Sequence, residues 1–239
     1  RGIDVALLYQ RDLFKLLSSR SISIPPLKQY RPTRDLLHVS GLLLTGDTLD
    51  VFVCHLPSRS GGAKESESYR LYAAHILRME VDSIMSIRSL PQVIIMGDFN
   101  DYPTNQSIQK ILEAEAPPVT TNNLASTTGS TNFSTVAPSS LKLYHLLARK
   151  AKSKDFGSYK YRGEWGLLDH LIVSGSLLNP ANSFSTSENK ATVSNLPFLL
   201  TEDKKYGDKE PFRTYKGMKY QGGISDHLPI YVDFNLILY

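Results

Sequence analysis

Four short segments of the chain combine acidic, basic and amide side chains that could carry out chemistry. They are residues 54–62 (CHLPSRSGG), 97–103 (GDFNDYP), 163–170 (GEWGLLDH) and 222–229 (GGISDHLP). Each lies next to an apolar run, and loops at the ends of buried strands hold functional groups on a rigid base. Carboxylates, imidazoles and a guanidinium brought together from such loops could orient a water molecule and bind an anion such as phosphate.

The first segment has the residue types of an anion site. His55 ends an apolar strand, and Arg59 offers a planar fork of donors that suits phosphate. Gly61 and Gly62 would allow a ligand to approach the backbone closely. The alternative is a surface turn with an exposed arginine.

In the second segment, Asp98 and Asn100 lie two residues apart and would point to the same side of an extended chain. A carboxylate beside an amide oxygen suits a hard cation or an oriented water molecule. The alternative is an Asx turn, in which both side chains bond only their own backbone. Asp101 falls on the opposite side and is expected to cap or brace the loop.

The third and fourth segments place acids at the start of strands. Asp169 enters a buried strand and needs a partner there, because burial raises the pKa of an unpaired acid; otherwise it is an ordinary turn residue. Asp226 and His227 follow two glycines and could place a metal-binding carboxylate beside a phosphate-facing imidazole. The alternative is a capped turn with a surface histidine.

The elements that must position these segments alternate along the chain. Apolar runs predict strands at residues 4–9, 36–44, 49–54, 93–96, 171–173 and 230–234, with a hairpin turn at 45–48. Helical spacing predicts helices at residues 65–88, after Thr104, and at 141–151. This mixture favours an α/β fold in layers, with sheet on sheet as one option. Residues 116–140 are rich in Pro, Thr, Ser, Asn and Gly, which predicts a long mobile loop inside a single domain spanning residues 1–239.

Composition excludes several classes of protein. The 239 residues are 41% hydrophobic and 21% charged, which is typical of a globular protein and not of a disordered, collagen-like or coiled-coil chain. No apolar stretch approaches the roughly 18 residues of a membrane span. Cys54 is the single cysteine, so a disulfide framework and a cysteine-based zinc site are excluded. The net charge is +4, and the basic excess between residues 141 and 220 suits an anionic partner or a solvated basic face.

Taken in order, the motifs resemble those of one superfamily. His-x-Pro-Ser-Arg is followed by Gly-Asp-Phe-Asn, by an Asp that opens a strand, and by Ser-Asp-His-x-Pro near the C-terminus. This order resembles the endonuclease/exonuclease/phosphatase superfamily, which contains deoxyribonuclease I, abasic-site endonucleases, inositol polyphosphate 5-phosphatases and neutral sphingomyelinases. The resemblance implies a deoxyribonuclease I-like α-β-β-α sandwich, in which two mainly antiparallel sheets lie between outer layers of helices.

The resemblance also implies roles for individual residues. Asp98 would be the general base that orients or deprotonates the attacking water, and Asn100 would position that water or the phosphate. His227 would bind the scissile phosphate, and Asp169 would accept a hydrogen bond from it. Asp226 would help to hold Mg²⁺ or Mn²⁺.

His55 would lie against the phosphate with Arg59 in support, again as the resemblance implies. The chain departs from the family at Leu56, where close relatives often carry Trp, and more seriously at its start. The family has an Asn-containing strand and a metal-binding Glu before the point where this chain begins, whereas the first Glu here is Glu65. The expectation is a fragment or processed form that lacks its N-terminal strands and so exposes a sheet edge, through which two copies could dimerise. The compartment cannot be read from the sequence.

The function expected of the full-length parent is that of a divalent-metal-dependent phosphoesterase that cleaves phosphodiester or phosphomonoester bonds, with a leaning towards nucleic acid. Because the Glu ligand is missing, we expect the 239-residue chain itself to bind metal weakly and to be poorly active. Basic residues could track a nucleic-acid backbone while aromatic residues stack on bases, or the same aromatics could simply pack in the core. The residues concerned are Lys160, Arg162, Lys204, Lys205, Arg213, Lys216 and Lys219, with Tyr159, Tyr161 and Trp165. The alternative is a non-catalytic module that retains the fold and binds nucleic acid or phosphate.

Overall fold

The computed structural model describes residues 4–27, 32–59, 61–119 and 138–238. The strands are β1 (Phe14–Ile22), β2 (Leu36–Leu43), β3 (Thr48–His55), β4 (Gln92–Asp98), β5 (Leu143–His145), β6 (Tyr159–Tyr161), β7 (Glu164–Gly166), β8 (Asp169–Ser174), β9 (Phe184–Ser185), β10 (Ala191–Val193), β11 (Leu200–Glu202), β12 (Lys209–Pro211), β13 (Tyr215–Lys216), β14 (Lys219–Tyr220), β15 (Ile230–Val232) and β16 (Asn235–Leu236). The α-helix α1 spans Glu67–Ile87, and shorter helical turns span Ser107–Ile111, Lys150–Lys152, Gly175–Leu178, Glu188–Lys190 and Pro197–Leu199.

A six-stranded mixed sheet in the order β1-β2-β3-β4-β8-β5 forms the centre of the structure. β2 and β3 form the antiparallel hairpin predicted from the turn at residues 45–48. α1 crosses from the end of β3 to the start of β4, which therefore pairs parallel to β3. β8 returns antiparallel to β4, so the carboxyl end of β4 meets the beginning of β8 at one edge of the sheet.

The two faces of this sheet bury two separate apolar clusters. On one face, strand residues such as Phe52 and Ile95 pack against α1. On the other, Val51, Ile94 and Leu171 pack against β9 and β10, which belong to the short antiparallel pairs β9–β16 and β10–β15. The predicted α/β layering with strands on strands is therefore confirmed, although α1 is the only α-helix within the ranges that the structure describes.

Three predicted elements are wrong. Residues 4–9 form no strand, and β1 begins at Phe14 instead. The helix expected after Thr104 is a π-helical turn, which ends where Glu113 adopts a φ of 51°. Residues 141–151 contain β5 and a 3₁₀ turn in place of a helix, because residues 143–145 are all buried and pair with β8. A strand buried on both faces shows no alternation of polar and apolar residues, so its sequence is not distinguishable from a short buried helix.

β1 forms one edge of the central sheet, and its side chains at Leu16 and Leu17 are 42% and 53% exposed. Dimerisation through this edge stays a prediction, as does the single-domain organisation. Most of the loop expected at residues 116–140 lies outside the described residues. In the part of the chain that the structure describes, no helix has both the length and the apolar character needed to cross a bilayer.

A buried ion pair fixes the end of α1 to the sheet. The carboxylate of Asp50 in β3 is fully buried, and both nitrogens of the Arg88 fork donate to it, Nε to Oδ2 at 2.9 Å and Nη2 to Oδ1 at 3.2 Å. The imidazole of His38 in β2 lies 2.9 Å from Oδ1. Although burial raises the pKa of Asp50, the hydrogen bonds from His38 and Arg88 hold it below its ordinary value.

We expect Arg88→Ala to lower the free energy of unfolding by about 3–5 kcal/mol, because it leaves a buried carboxylate without its cation. The control, Asp82→Asn, breaks an ion pair whose carboxylate is 52% exposed, and we expect it to cost less than about 1 kcal/mol. Denaturant unfolding at neutral pH measures both. Since the pKa of Asp50 is depressed in the folded chain, the stabilisation is present above the ordinary value of 3.8 and disappears as the pH falls through the lowered pKa. Equal costs for the two variants would contradict this account.

Candidate active site

The pairing register of the central sheet brings three of the predicted site residues side by side. His55 at the end of β3 pairs with Asp98 at the end of β4, and Asp98 pairs with Asp169 at the start of β8. Neighbouring strands lie about 4.8 Å apart, so these side chains are direct neighbours. The Nε2 atom of His55 lies 3.4 Å from Oδ2 of Asp98.

Unusual backbone conformations shape the loop that carries Asp98. Gly97 has a φ of 132°, and a Cβ atom there would lie 1.9 Å from the carbonyl oxygen of Cys54, so only glycine fits. Asn100 has a φ of 52°, a conformation that asparagine tolerates better than most residues. Its backbone N–H donates to Asp98 Oδ1 at 2.7 Å, and its side-chain amide lies 3.2 Å both from Asp98 Oδ2 and from the carbonyl oxygen of Leu56. Asp98 therefore forms an Asx turn, but the Asn100 amide contacts Leu56 and Asp98 and not only its own backbone.

His227 reaches this edge from a different part of the chain. Its Nδ1 atom lies 2.7 Å from Oδ2 of Asp169, and its ring centroid is 4.9 Å from that of Tyr159 in β6. Ser158 links the two segments that carry Asp169 and His227. Its hydroxyl donates to Asp169 Oδ2 at 2.5 Å, and its carbonyl accepts the backbone N–H of Leu228, which follows His227, at 2.7 Å. The side chains of His227 and Asp169 are 22% and 16% exposed, so substrate-sized groups can reach them.

The electrostatics of the cluster favour a protonated imidazole beside a carboxylate with an elevated pKa. Burial and the negative charge of Asp169 together raise the pKa of Asp98 to about 6, against the opposing effects of His227 and Arg34. Burial alone would lower the pKa of His227. Its hydrogen bond to Asp169 and the charges of Asp169, Asp98 and Asp226 outweigh that effect and raise it.

A candidate cation site coincides with this cluster. Asp98, Asp169 and His227 each offer one ligand atom, and these atoms lie within 4.8 Å of one another. Asp226 is exposed and is not a member of this group, as far as the described residues go. Its role as a metal ligand stays a prediction, and the structure adds only that its charge acts on His227.

Arg59 and Asp101 lie near Tyr102 and the end of the Asp98 loop. The guanidinium of Arg59 lies 4.7 Å from the ring centroid of Tyr102, which follows the Asp98 loop. Asp101 is 1% exposed, and its carboxylate accepts hydrogen bonds at 2.7 Å from Arg70 Nε and Ser107 Oγ. It therefore braces the loop, as expected from a side chain that points away from Asp98.

Two residues of the site were missed by the sequence analysis. Ser158 lies eleven residues before Asp169 in a segment without any motif, and the charge of Arg34 reaches Asp98 from just before β2. Only the strand pairing that brings these segments together could have indicated them. A related interpretation needs correction: Lys160 cannot track a nucleic-acid backbone, because its side chain is 3% exposed and its ammonium donates at 3.0 Å to the carbonyls of Gly207 and Lys209.

Other basic and aromatic side chains do lie at the surface around His227. Arg213 stacks over Tyr159 at 5.2 Å, and Arg162 over the exposed Tyr161 at 5.2 Å. The rings of Tyr159 and Tyr161 are themselves stacked, with centroids 6.5 Å apart. We call these four residues, Tyr159, Tyr161, Arg162 and Arg213, the basic and aromatic strip beside His227. Lys204, Lys205, Lys216 and Lys219 are exposed as well.

Comparison with known proteins identifies the family of the chain and its fold. The model of the Endonuclease/Exonuclease/phosphatase family matches residues 1–235. The human nocturnin catalytic domain with bound sulfate is 18% identical, with a TM-score of 0.51 over 95% of this chain and 61% of that one. A humanised Danio rerio TDP2 is 16% identical, with a TM-score of 0.53 over 94% of this chain and 69% of that one. A Bacteroides thetaiotaomicron mannosyl-6-phosphatase is 15% identical, with a TM-score of 0.54 over 95% of this chain and 68% of that one.

At these identities the solved structures show the fold alone, and the chain spans 61% of the length of nocturnin's catalytic domain. A search of curated proteins found no match. The deoxyribonuclease I-like fold expected from the motifs is confirmed by these neighbours. Because the family model covers nearly the whole sequence, the chain belongs to the endonuclease/exonuclease/phosphatase family.

Proposed function

We propose that this chain carries the active site of a divalent-metal-dependent phosphoesterase, which hydrolyses phosphodiester or phosphomonoester bonds by attack of water and favours nucleic-acid substrates. The observation that carries the proposal is the convergence of His55, Asp98, Asp169 and His227 on one edge of the sheet. Carboxylates and imidazoles in hydrogen-bonding contact are the groups needed to activate water and to stabilise charge on a phosphate.

In this proposal, Asp98 acts as the general base. A base works best when its pKa lies near the working pH, and burial beside Asp169 raises the pKa of Asp98 to about 6. Asn100, whose amide lies 3.2 Å from the Asp98 carboxylate, would orient the attacking water or a phosphoryl oxygen. Because Asn100 is also bonded to Leu56, its amide is held in a fixed direction.

His227 would bind the phosphate. The hydrogen bond with Asp169 directs Nδ1 inward, which leaves Nε2 to donate to a phosphoryl oxygen. The raised pKa of His227 favours the cationic form, which stabilises the negative charge that builds up in the transition state. His55 and Arg59 would bind other oxygens of the same phosphate.

The donor set fits a divalent cation. Two carboxylates close enough for Asp169 to raise the pKa of Asp98 repel each other, and a cation between them would relieve that repulsion. Mg²⁺ prefers oxygen ligands of this kind, and Asp226 is close enough to contribute charge. When bound, the cation would polarise a phosphoryl oxygen and neutralise charge in the transition state.

The strip beside His227 supports nucleic acid as the substrate class. Aromatic side chains interleaved with cations are typical of surfaces that bind single strands, and Tyr159 and Tyr161 lie between Arg213 and Arg162 in this way. Danio rerio TDP2, with a TM-score of 0.51, has been solved with a single-stranded DNA product. The same strip would serve a non-catalytic binding module, which the assays below separate from an enzyme.

We expect Asp98→Asn and His227→Ala each to lower kcat by about 10²–10⁴-fold, since each removes a group that acts on the reacting atoms. The control is Asp155→Asn, which neutralises an exposed acid outside the cluster. Hydrolysis is measured with Mg²⁺ on single-stranded DNA, RNA, a sugar phosphate and bis(p-nitrophenyl) phosphate, with a chelator arm. Nucleic-acid binding that persists in chelator, without turnover of any substrate, would instead support the binding module.

In the metal-free chain, the Asp98 carboxylate should lose its proton near pH 6, because burial and the charge of Asp169 raise its pKa. Asp169→Asn removes the neighbouring negative charge, so it should lower the pKa of Asp98 and also that of His227. NMR titrations in chelator, of the Asp98 carboxyl carbon and of the His227 imidazole, report the two effects. A His227 pKa that does not change in Asp169→Asn would rule out the proposed coupling.

A further inference from the structure

A cavity of about 540 Å³ lies beside the Asp98 loop and has no part in the proposed chemistry. Its apolar lining combines the aromatic rings of Tyr102, Phe156 and Trp165 with the small side chains of Ala148 and Ala151. Gln109, Glu115 and Lys152 add polar groups to the same lining. Ligand sites commonly measure about 300–1,000 Å³ and are lined by apolar and aromatic residues with a few polar groups, as here.

One wall of the cavity is built from the same backbone as the site. Tyr102 follows Asp98 by four residues, and the Arg59 guanidinium lies 4.7 Å from the centroid of its ring. The ring is packed against Gly166, where an added Cβ would lie 2.6 Å from Cε1 of Tyr102. Gly166 lies three residues before Asp169. The segment after Asp98 and the segment before Asp169 therefore both contribute to the wall of the cavity.

The lining indicates what kind of group would fit. The volume of about 540 Å³ is far larger than a phosphate group needs and is large enough for an organic moiety. Three aromatic rings favour a planar ring, which they can contact by stacking or edge-to-face, and alanines leave room for it. An amide, a carboxylate and an ammonium could bond the polar edge of that ring.

We propose that this cavity binds the planar aromatic ring of the group esterified to the substrate phosphate, a nucleobase being the ring that suits its polar groups. Arg59, stacked on Tyr102 at the boundary, would hold the linking phosphate between the ring and the cluster. The proposal rests on the proposed phosphoesterase function for the position of the phosphate. The binding of the ring itself does not require turnover.

Trp165 provides a direct measurement, because it is the only tryptophan of the chain. Its fluorescence is titrated, in chelator to prevent turnover, with adenosine 5′-monophosphate, phenyl phosphate, methyl phosphate and inorganic phosphate. We expect saturable quenching by the two ring-bearing compounds and none by the other two. Tighter binding of the nucleotide than of phenyl phosphate would identify the nucleobase, whereas the reverse order would point to a plain aryl group and contradict that assignment.

Two variants that fill the cavity, Ala151→Phe and Ala148→Leu, test the location. Each should weaken binding of the ring-bearing compounds by about tenfold or more, because lost contact with one or two rings is worth about 1.4 kcal/mol. Ala181→Phe, at an exposed alanine outside the cavity, is the matched control and should bind as the unaltered chain does. Circular dichroism and thermal unfolding verify that each variant is folded. Two cavity-filling variants are used so that the test can still be made if one of them does not fold.

The outcomes separate this inference from the proposed function. If the filled variants lose the quenching and the chain hydrolyses no phosphate ester, the result would support the cavity proposal and contradict the phosphoesterase proposal. Turnover by a chain whose Trp165 fluorescence does not respond to either ring would overturn the cavity assignment alone. Equal quenching in the unaltered chain and in both filled variants would also overturn it, since the ring would then bind elsewhere.

Discussion

The register of β4 against its two neighbours is the constraint on which the site depends. β4 pairs parallel to β3 and antiparallel to β8, and the two pairings together align His55, Asp98 and Asp169 across the sheet. A slip of one residue in either pairing would turn a side chain to the opposite face. The buried apolar residues on both faces of β4 make such a slip costly, so the packing of the core also fixes the position of the carboxylates.

A chain of buried hydrogen bonds then fixes the loop that leaves β4. The N–H of Leu147 donates to Nδ1 of His145, so Nε2 of His145 carries the proton that bonds His170 Nδ1, and Nε2 of His170 donates in turn to the carbonyl of Asp101. Burial lowers the pKa of His170 to about 4 and holds that of His145 well below its ordinary value, so both rings stay neutral and the direction of every bond is set. The loop is thereby anchored to β5 and β8 without placing another charge near Asp98.

The sequence predicted the parts of this arrangement that depend on local pattern. The β2–β3 hairpin, α1 and β4 follow from apolar spacing and turn residues, and each observed element lies within a few residues of the predicted one. β1 and β5 were missed because an exposed edge strand and a doubly buried strand both lack the alternation that identifies a strand. The motifs identified the side chains that converge, but Ser158 and the burial of Lys160 depend on contacts between distant segments, which local pattern does not contain.

The carboxylate pair at the centre of the site is in itself unfavourable for folding, and this is an argument for its function. Two acids that repel each other, one with its pKa raised to about 6, would be replaced by neutral residues if only packing mattered. The surrounding structure instead holds them in place, through the Ser158 hydroxyl and the His227 imidazole, which both bond Asp169. Such local conflict in an otherwise consistent fold is expected where a sequence specifies chemistry as well as structure. A cation or a protonated imidazole resolves the repulsion, and a bound phosphate would then balance the positive charge so introduced.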